Sequence, residues 1–305
     1  MVKRKPKVVV LDSFDEQFFK RLGEECEIVD KNHMREAEIL IVRSNTMVDR
    51  EFVSKLPSLK LVVSATHGED HIDKQALAER GIPYRMAPVQ SYDVAQGVMA
   101  YIFAFATNMV RADRSMKRGE WRKRDFIGFR VEGRTLGIIG YGRIGREVAR
   151  QALANGLKVI VYEKDAKARL DNKLPVSFAE TLEDLLSSSD IITIHVPLTE
   201  ETKGMIGERE LAVVKYGAYL INTARGGIVD EEALLKALEA NKLAGVALDV
   251  FQHQPPQDSN SSERLAKHEK VIASPHSIAQ SKEALRQKGE AVLGIIREYL
   301  DKGEC

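Results

Sequence analysis

The sequence predicts an α/β protein built of two parallel-sheet units. Three observations carry the prediction. Short β-branched apolar runs alternate with amphipathic patterns from Val8 to Arg80. The same alternation restarts at Thr135. The restart opens on GIIGYGRIG, Gly137–Gly145, which reads as strand, tight turn and helix.

In the first unit Val8–Leu11, Cys26–Val29, Ile39–Val42 and Leu59–Val63 predict strands, with helices at Glu16–Leu22 and Arg50–Leu56. A helix over Lys74–Arg80 stops at Gly81 and Pro83, as helices do before proline. The span Val94–Lys117 follows as one helical pattern, apolar on several faces through Val98, Met99, Ile102, Phe103, Phe105 and Ala106. Such a helix must be covered on more than one side, between domains or between subunits, and it is one ground for expecting a homodimer. In the second unit Lys158–Tyr162, Ile191–Val196, Ala218–Ile221, Val246–Val250 and Val271–Ala273 predict strands. Helices are expected at Arg143–Asn155, Thr181–Ser187, Glu208–Val214 and Glu231–Ala240. The polar stretch Gln252–Ser262 predicts a surface loop, and Lys282–Leu300 a long amphipathic helix. The chain closes soon after that helix, so no appended regulatory domain is expected.

Composition narrows the function classes. A chain of 305 residues has room for two cores. With 46 basic and 45 acidic residues the net charge is +1, which provides no electrostatic footprint for nucleic acid. The basic start MVKRKPK runs only into Val8–Leu11 before Asp12, too short for a secretory core or a membrane span. A cytoplasmic protein without a membrane partner is expected. Cys26 and Cys305 are too few for a disulfide framework or a zinc cluster, and no metal is expected.

Gly140, Gly142 and Gly145 have the G-x-G-x-x-G spacing: the first permits the turn, the second lets backbone approach a pyrophosphate, and the third allows helix and strand to pack closely. The N–H groups of the helix start, from Arg143 and Ile144 onward, then face the phosphates. A dinucleotide-binding, Rossmann-type unit should also carry an acidic residue about 20 residues further on, to hold the adenosine ribose. Glu163, closing Lys158–Tyr162, stands at that distance. A carboxylate there repels a 2′-phosphate and favours NAD over NADP; Lys164 beside it weakens the preference.

Downstream lie HVPLTEETKGMI from His195, INTARGGIVDEEALLKAL around Arg225, GVALDVFQHQPP around Asp249 and VIASPHSIAQSKEA around His276. With the glycine motif, these segments resemble the D-2-hydroxyacid dehydrogenase family, the D-isomer-specific NAD-dependent enzymes, in that family's order and spacing. The resemblance implies two Rossmann- or flavodoxin-like domains with the active site in the cleft between them. Residues 1–93 and 281–305 would bind substrate, and 94–280 would bind NAD. It implies that Arg225 grips the substrate carboxylate and that His276 is the general acid/base. Asp249 would contact the nicotinamide carboxamide. Tyr141, Val196, Pro197, Thr202, Thr223 and Ala224 would border the cofactor.

The sequence departs from the family at two places. The family usually has glutamate before the proline of DVFxxEP, hydrogen-bonded to the catalytic histidine; here that residue is Gln254, and Asp258 is four residues on. An amide can orient the imidazole but supplies no charge, so His276 should lose its proton more easily than in a typical member. The formate dehydrogenases resemble this chain in pairing glutamine with histidine, and the NAD-sensing corepressors of the family share the scaffold, so both remain alternatives to a D-2-hydroxy acid enzyme. The second departure is VVSATHGEDHID, which replaces the arginine-containing glycine loop common in the family and leaves Thr66, His67 and Gly68 as candidate substrate contacts. VRSNT, with Arg43 and Ser44, resembles the anion-binding segment of 3-phosphoglycerate dehydrogenases, and SATHGEDHID is similar to erythronate-4-phosphate dehydrogenase. Both point to a phosphorylated acid. His67 and His71 with Asp70 and Asp73 fit a turn into a helix better than a metal site.

Overall fold

The computed structural model describes residues 4–302 except 45, 67, 258 and 259. The chain divides into two compact units: the first runs to Gln90 and resumes at Gln280, and the second is Ser91–Ala279. His67, Asp258 and Cys305 lie outside the described residues.

The first unit contains β1 (Lys7–Val10), α1 (Glu16–Glu25), β2 (Glu27–Val29), β3 (Ile39–Val42), α2 (Arg50–Ser54), β4 (Leu61–Ser64), α3 (Lys74–Glu79) and β5 (Tyr84–Met86). All strands pair in parallel, in the order β2-β1-β3-β4-β5. Their unbroken apolar runs serve two faces by the two-residue period of a strand. Val8, Ile39, Ile41, Leu61 and Val63 fill one core, while Val9, Leu40, Val42 and Val62 fill the other. Aspartates cap the helices: Asp15, Asp49 and Asp73 accept from the third backbone N–H of α1, α2 and α3.

The second unit begins with α4 (Ser91–Ala106) and α5 (Met109–Lys117). One continuous helix was expected here; Asn108 breaks it with φ 51°, a left-handed conformation that asparagine tolerates better than most residues. The unit continues with β6 (Thr135–Ile139), α6 (Arg143–Ala154), β7 (Lys158–Tyr162), α7 (Ala166–Leu170), β8 (Ser177–Phe178), α8 (Leu182–Ser188) and β9 (Ile191–Ile194). It ends with α9 (Glu208–Val213), β10 (Ala218–Asn222), α10 (Glu231–Glu239), β11 (Leu243–Leu248), α11 (Asn260–Lys267) and β12 (Val271–Ala273). The seven strands are parallel, in the order β12-β11-β10-β9-β6-β7-β8. From β6 the chain moves outward through β7 and β8, then crosses to β9 on the other side. That reversal between β6 and β9 is where open α/β sheets bind ligands, outside the carboxyl ends of the strands.

The apolar face of α4 is covered inside its own unit, contrary to the reason given for a dimer. Ala95, Val98, Met99, Tyr101, Ile102 and Phe105 share one core with Val148, Ala149 and Ala152 of α6. Burying Val98 and Ile102 completely is worth about 1.5–3 kcal/mol each. On α4 itself Tyr92 and Phe103 stay exposed, and further exposed apolar side chains follow at Met109, Met116, Trp121 (80% exposed) and Ile127 (85%). A second correction concerns Gln252–Ser262: the helix α11 starts inside this stretch, and Ser262 is fully buried. Polar composition alone suggested a loop, yet Ser262 has buried partners, described below.

The final helix, α12 (Lys282–Asp301), belongs to the first unit. Its Val292, Leu293 and Ile296 join the core of Phe18 and Leu22, and Gly289 lets it approach Phe18. No helix among the described residues is long and apolar enough to cross a membrane.

Candidate active site

The β6–α6 turn is shaped by its three glycines, each for a different reason. Gly140 has φ 92°, and a Cβ there would stand 2.7 Å from the carbonyl oxygen of His195. A Cβ on Gly145 would stand 2.1 Å from the carbonyl oxygen of Gly140, so helix and turn touch through bare backbone. Around Gly142 a Cβ would meet nothing within 4 Å. This open place lies at the start of α6, which no side chain caps, so its first N–H groups point outward as an anion cradle. Arg143 is exposed beside it and Ile144 packs against the core.

The side chain of Tyr141 is fully buried, its hydroxyl donating to Asn172 Oδ1 at 2.8 Å, so only its backbone can border a cofactor. That backbone N–H donates to Glu163 Oε2 at 2.7 Å, while Glu163 Oε1 accepts from Asp165 N–H at 2.9 Å. Two backbone donors thus fix a carboxylate at the end of β7, against the glycine turn. Lys164 forms an ion pair with Glu201, which offsets the cation beside Glu163.

On neighbouring β9, the loop from His195 is folded by Thr202, whose hydroxyl donates to Pro197 O at 2.5 Å and accepts from Thr199 N–H at 2.8 Å. Val196 comes over Gly140, where its Cγ1 would lie 2.8 Å from an added Cβ. Burial depresses the His195 imidazole to about 3, so it is neutral at pH 7; its Nε2 lies 3.0 Å from Thr193 Oγ1.

The next loop, after β10, carries Arg225. Asn222, 2% exposed, clamps it: its Oδ1 accepts from Ala224 N–H at 3.0 Å and its Nδ2 donates to Arg225 O at 2.9 Å. Arg225 Nη1 donates to Ala224 O at 2.8 Å, and the guanidinium is partly exposed. Thr223 Oγ1 is buried without a hydrogen-bond partner among the described residues, an orphan that costs about 1–3 kcal/mol unless a ligand meets it. Gly226 joins this loop to the next: its Cβ would lie 1.8 Å from Phe251 O.

After β11 and β12 come the loops of Asp249, Gln254 and His276. Asp249 is 2% exposed, and its carboxylate is the anchor of the histidine loop. Oδ1 accepts from Ser274 Oγ, from Ser277 N–H at 2.9 Å and from Ile278 N–H at 3.2 Å. Its backbone carbonyl accepts from His276 N–H at 2.9 Å. These bonds hold His276 at φ 52°, a left-handed conformation uncommon for histidine and of the kind found at functional sites. Tyr101 of α4 braces the loop from behind through a 2.5 Å contact with Ser274 Oγ, and burial pushes its phenol up to about 12. Gln254 Nε2 donates to Phe251 O at 3.3 Å, which turns Oε1 toward His276 Nδ1 at 3.4 Å. Since an amide oxygen only accepts, this contact favours the tautomer with the hydrogen on Nδ1.

In the first unit, Thr66 and Gly68 lie in the loop after β4. Thr66 donates to Gly68 O at 2.8 Å, Ser64 Oγ lies 2.8 Å from Thr66 Oγ1, and His71 Nε2 lies 2.9 Å from Ser64 Oγ. His71 and Asp73 are thus used within the fold, Asp73 as a helix cap. Arg43 follows β3, its N–H donating to Asp12 Oδ2 at 2.6 Å and its guanidinium to Ser13 O at 3.4 Å, and Ser44 beside it is exposed. Among the described residues, no group of three or more His, Cys, Asp or Glu is arranged to hold a metal.

Residues 99–277 match the family model described as D-isomer specific 2-hydroxyacid dehydrogenase, NAD binding domain. The chain belongs to this family. Its second unit is accordingly the NAD-binding domain, and the open cradle at Gly142 and the orphaned hydroxyl of Thr223 fit such a cofactor. The chain is 37% identical to the D-3-phosphoglycerate dehydrogenase of Methanocaldococcus jannaschii over 98% of its own length and 58% of that protein. It is 40% identical to the hydroxypyruvate reductase of Thermotoga maritima, over 86% of this chain and 85% of that one. It thus spans about half the length of the curated phosphoglycerate dehydrogenases it matches. Among solved structures, the D-lactate dehydrogenase of Aquifex aeolicus, complexed with NAD and lactic acid, is similar at a TM-score of 0.85 and 28% identity, over 98% of this chain and 96% of that one.

The residues that sequence reading missed are those that hold the site from behind: Asn222, Tyr101 and Ser274. Only Asn222 had a local signal, as a polar residue ending the apolar run Ala218–Ile221.

Proposed function

We propose that the protein exchanges a hydride between NAD(H) and a D-2-hydroxy acid or its 2-oxo acid. The carrying observation is the convergence of Arg225, Gln254 and His276 on neighbouring loops, joined where Gly226 meets Phe251 and where Gln254 meets His276. Bound at the glycine turn, NAD(H) would supply the hydride acceptor or donor. Arg225 offers a planar fork for the substrate carboxylate. His276 Nε2 gives a proton to the 2-oxygen in reduction and removes it in oxidation, while Gln254 keeps the hydrogen on Nδ1. Glu163 favours NAD over NADP, since a 2′-phosphate would face its carboxylate. Val196, Pro197, Thr202, Thr223, Ala224 and Asp249 complete the cofactor contacts.

Residues 1–93 with 281–305 serve the substrate in this reading, through Arg43, Ser44, Thr66, His67 and Gly68, and residues 94–280 serve the cofactor. The phosphoglycerate dehydrogenases among the relatives support a phosphorylated acid as substrate. The protein acts in the cytoplasm as a homodimer. Support for a dimer comes from the exposed apolar side chains between Met109 and Ile127 rather than from α4. A panel of 2-oxo acids with NADH and NADPH tests the function. Turnover with NADH is expected; tight NADH binding with no turnover on any acid would overturn the reading in favour of a cofactor sensor.

A further inference from the structure

Gln254 can orient His276 only if its own loop is fixed, and the structure shows what fixes it. Residues 251–254 belong to neither a helix nor a strand, so their polar backbone groups must find partners elsewhere. The Gln252 N–H donates to Glu231 Oε1 at 2.7 Å. The His253 N–H donates to Ser262 Oγ at 3.3 Å, and Ser262 Oγ in turn donates to Glu231 Oε2 at 2.5 Å. Both oxygens of one carboxylate therefore serve the two residues immediately before Gln254. Glu231 is 4% exposed and Ser262 is fully buried. A carboxylate is rarely buried without a task, because its desolvation must be offset by strong hydrogen bonds. The start of α10 adds support, since Glu231 is its first residue and the helix dipole favours negative charge there.

We propose that Glu231, with Ser262, is a positioning residue for the reaction: it sets the 251–254 loop so that Gln254 Oε1 fixes the tautomer of His276. The inference rests on the oxidoreductase reading for its kinetic consequence, but not for the tautomer itself. Neither residue touches the imidazole. The effect passes through the Gln252 and His253 amides to Gln254, and through its side chain to Nδ1. Hydrogen-bonding capacity carries it rather than charge, because among the described residues Glu231 meets only neutral donors.

The test uses Glu231→Ala, Ser262→Ala and Glu231→Gln in the full chain, with two readouts. The His276 tautomer is followed by nitrogen NMR, its signal assigned with His276→Ala; turnover is followed with NADH and the acid of the 2-oxo acid panel that the wild type reduces fastest. Glu231→Ala and Ser262→Ala should lower the Nδ1–H fraction, and should reduce kcat by roughly 10- to 100-fold with KM for NADH changed by less than about threefold. Glu231→Gln, whose amide can keep both contacts, should recover most of the tautomer and of the rate. A wild-type tautomer and rate in folded Glu231→Ala would overturn the proposal; should that variant not fold, the same result in the milder Ser262→Ala would do so. Glu231→Gln as impaired as Glu231→Ala would also overturn it, by pointing to charge. Turnover by the wild type tests the enzymatic reading separately, because the tautomer is read without substrate.

Discussion

Replacing Gln254 by glutamate puts a carboxylate where the amide oxygen now stands, 3.4 Å from His276 Nδ1. Coulomb attraction at that distance is about 1.2 kcal/mol in a water-like medium and about 5 kcal/mol at an effective dielectric of ~20. Gln254 is exposed and His276 only partly buried, so the solvent-screened end of that range applies. The imidazolium is then favoured by about 1.2 kcal/mol, close to one pKa unit. In the proposed reaction reduction needs His276 protonated, so its rate would be lost as pH rises through this pKa; the variant should hold its rate to about one pH unit higher. Oxidation needs the neutral ring, so its acid limb should move upward by the same amount. The assay is kcat/KM against pH in both directions, with hydroxypyruvate and NADH for reduction and the corresponding hydroxy acid with NAD for oxidation. Coincident profiles for the two proteins would refute the idea that residue 254 acts on the proton donor.

Four further outcomes are expected. His276→Ala should lower turnover by roughly 10²- to 10⁴-fold, the usual contribution of a general acid/base, and a loss below tenfold would reassign the proton donor. Gly142→Ala should weaken NADH binding with less than about 1 kcal/mol of lost stability, because the added methyl enters open space at a helix cap; Gly145→Ala should cost stability of about 1–3 kcal/mol, because it strikes the Gly140 carbonyl. Calorimetry and thermal melts separate the two. His195, held down to about 3 by burial, stays neutral in the folded chain while its unfolded counterpart protonates below about 6.5. Stability should therefore fall as pH drops below about 6.5, by up to about 2 kcal/mol at pH 5, and His195→Asn should flatten that slope in denaturant titrations. Light scattering should give a dimer, and Trp121→Ser should weaken it; a monomeric wild type would contradict the assembly.

Much of the fold was legible because burial leaves a plain mark on parallel strands. Runs such as Ile39–Val42 and Ile191–Ile194 are apolar on both faces and bounded by polar residues. Strand β5 was missed since Tyr84–Met86 is three residues long, has Arg85 at its centre and is never fully buried. At the candidate site, side-chain types and glycine spacing were all that could be read. Glycine spacing foretold the turn geometry at Gly140 because positive φ and contact with bare backbone exclude larger residues. The network behind the loops was not legible. The resemblance marks Asp249 as a cofactor contact, and nothing in the sequence shows that its carboxylate also anchors the 274–278 turn; Ser262 reads as solvent-exposed polar chain, yet it is buried against Glu231. Hydrogen bonds between residues 25 or more positions apart depend on how strands stack, and no local pattern encodes them.

The left-handed backbone of His276 also bears on how this chain can drift. Histidine at such a position is less comfortable than glycine by on the order of 1 kcal/mol, so folding alone would favour glycine there. On the proposed role, a duplicated copy relieved of proton transfer would gain stability by exchanging that one residue for glycine, with β12 and the Asp249 anchor left intact. Loss of activity would therefore come early and leave the architecture unmarked, and the identity of a single residue would separate working copies from retired ones.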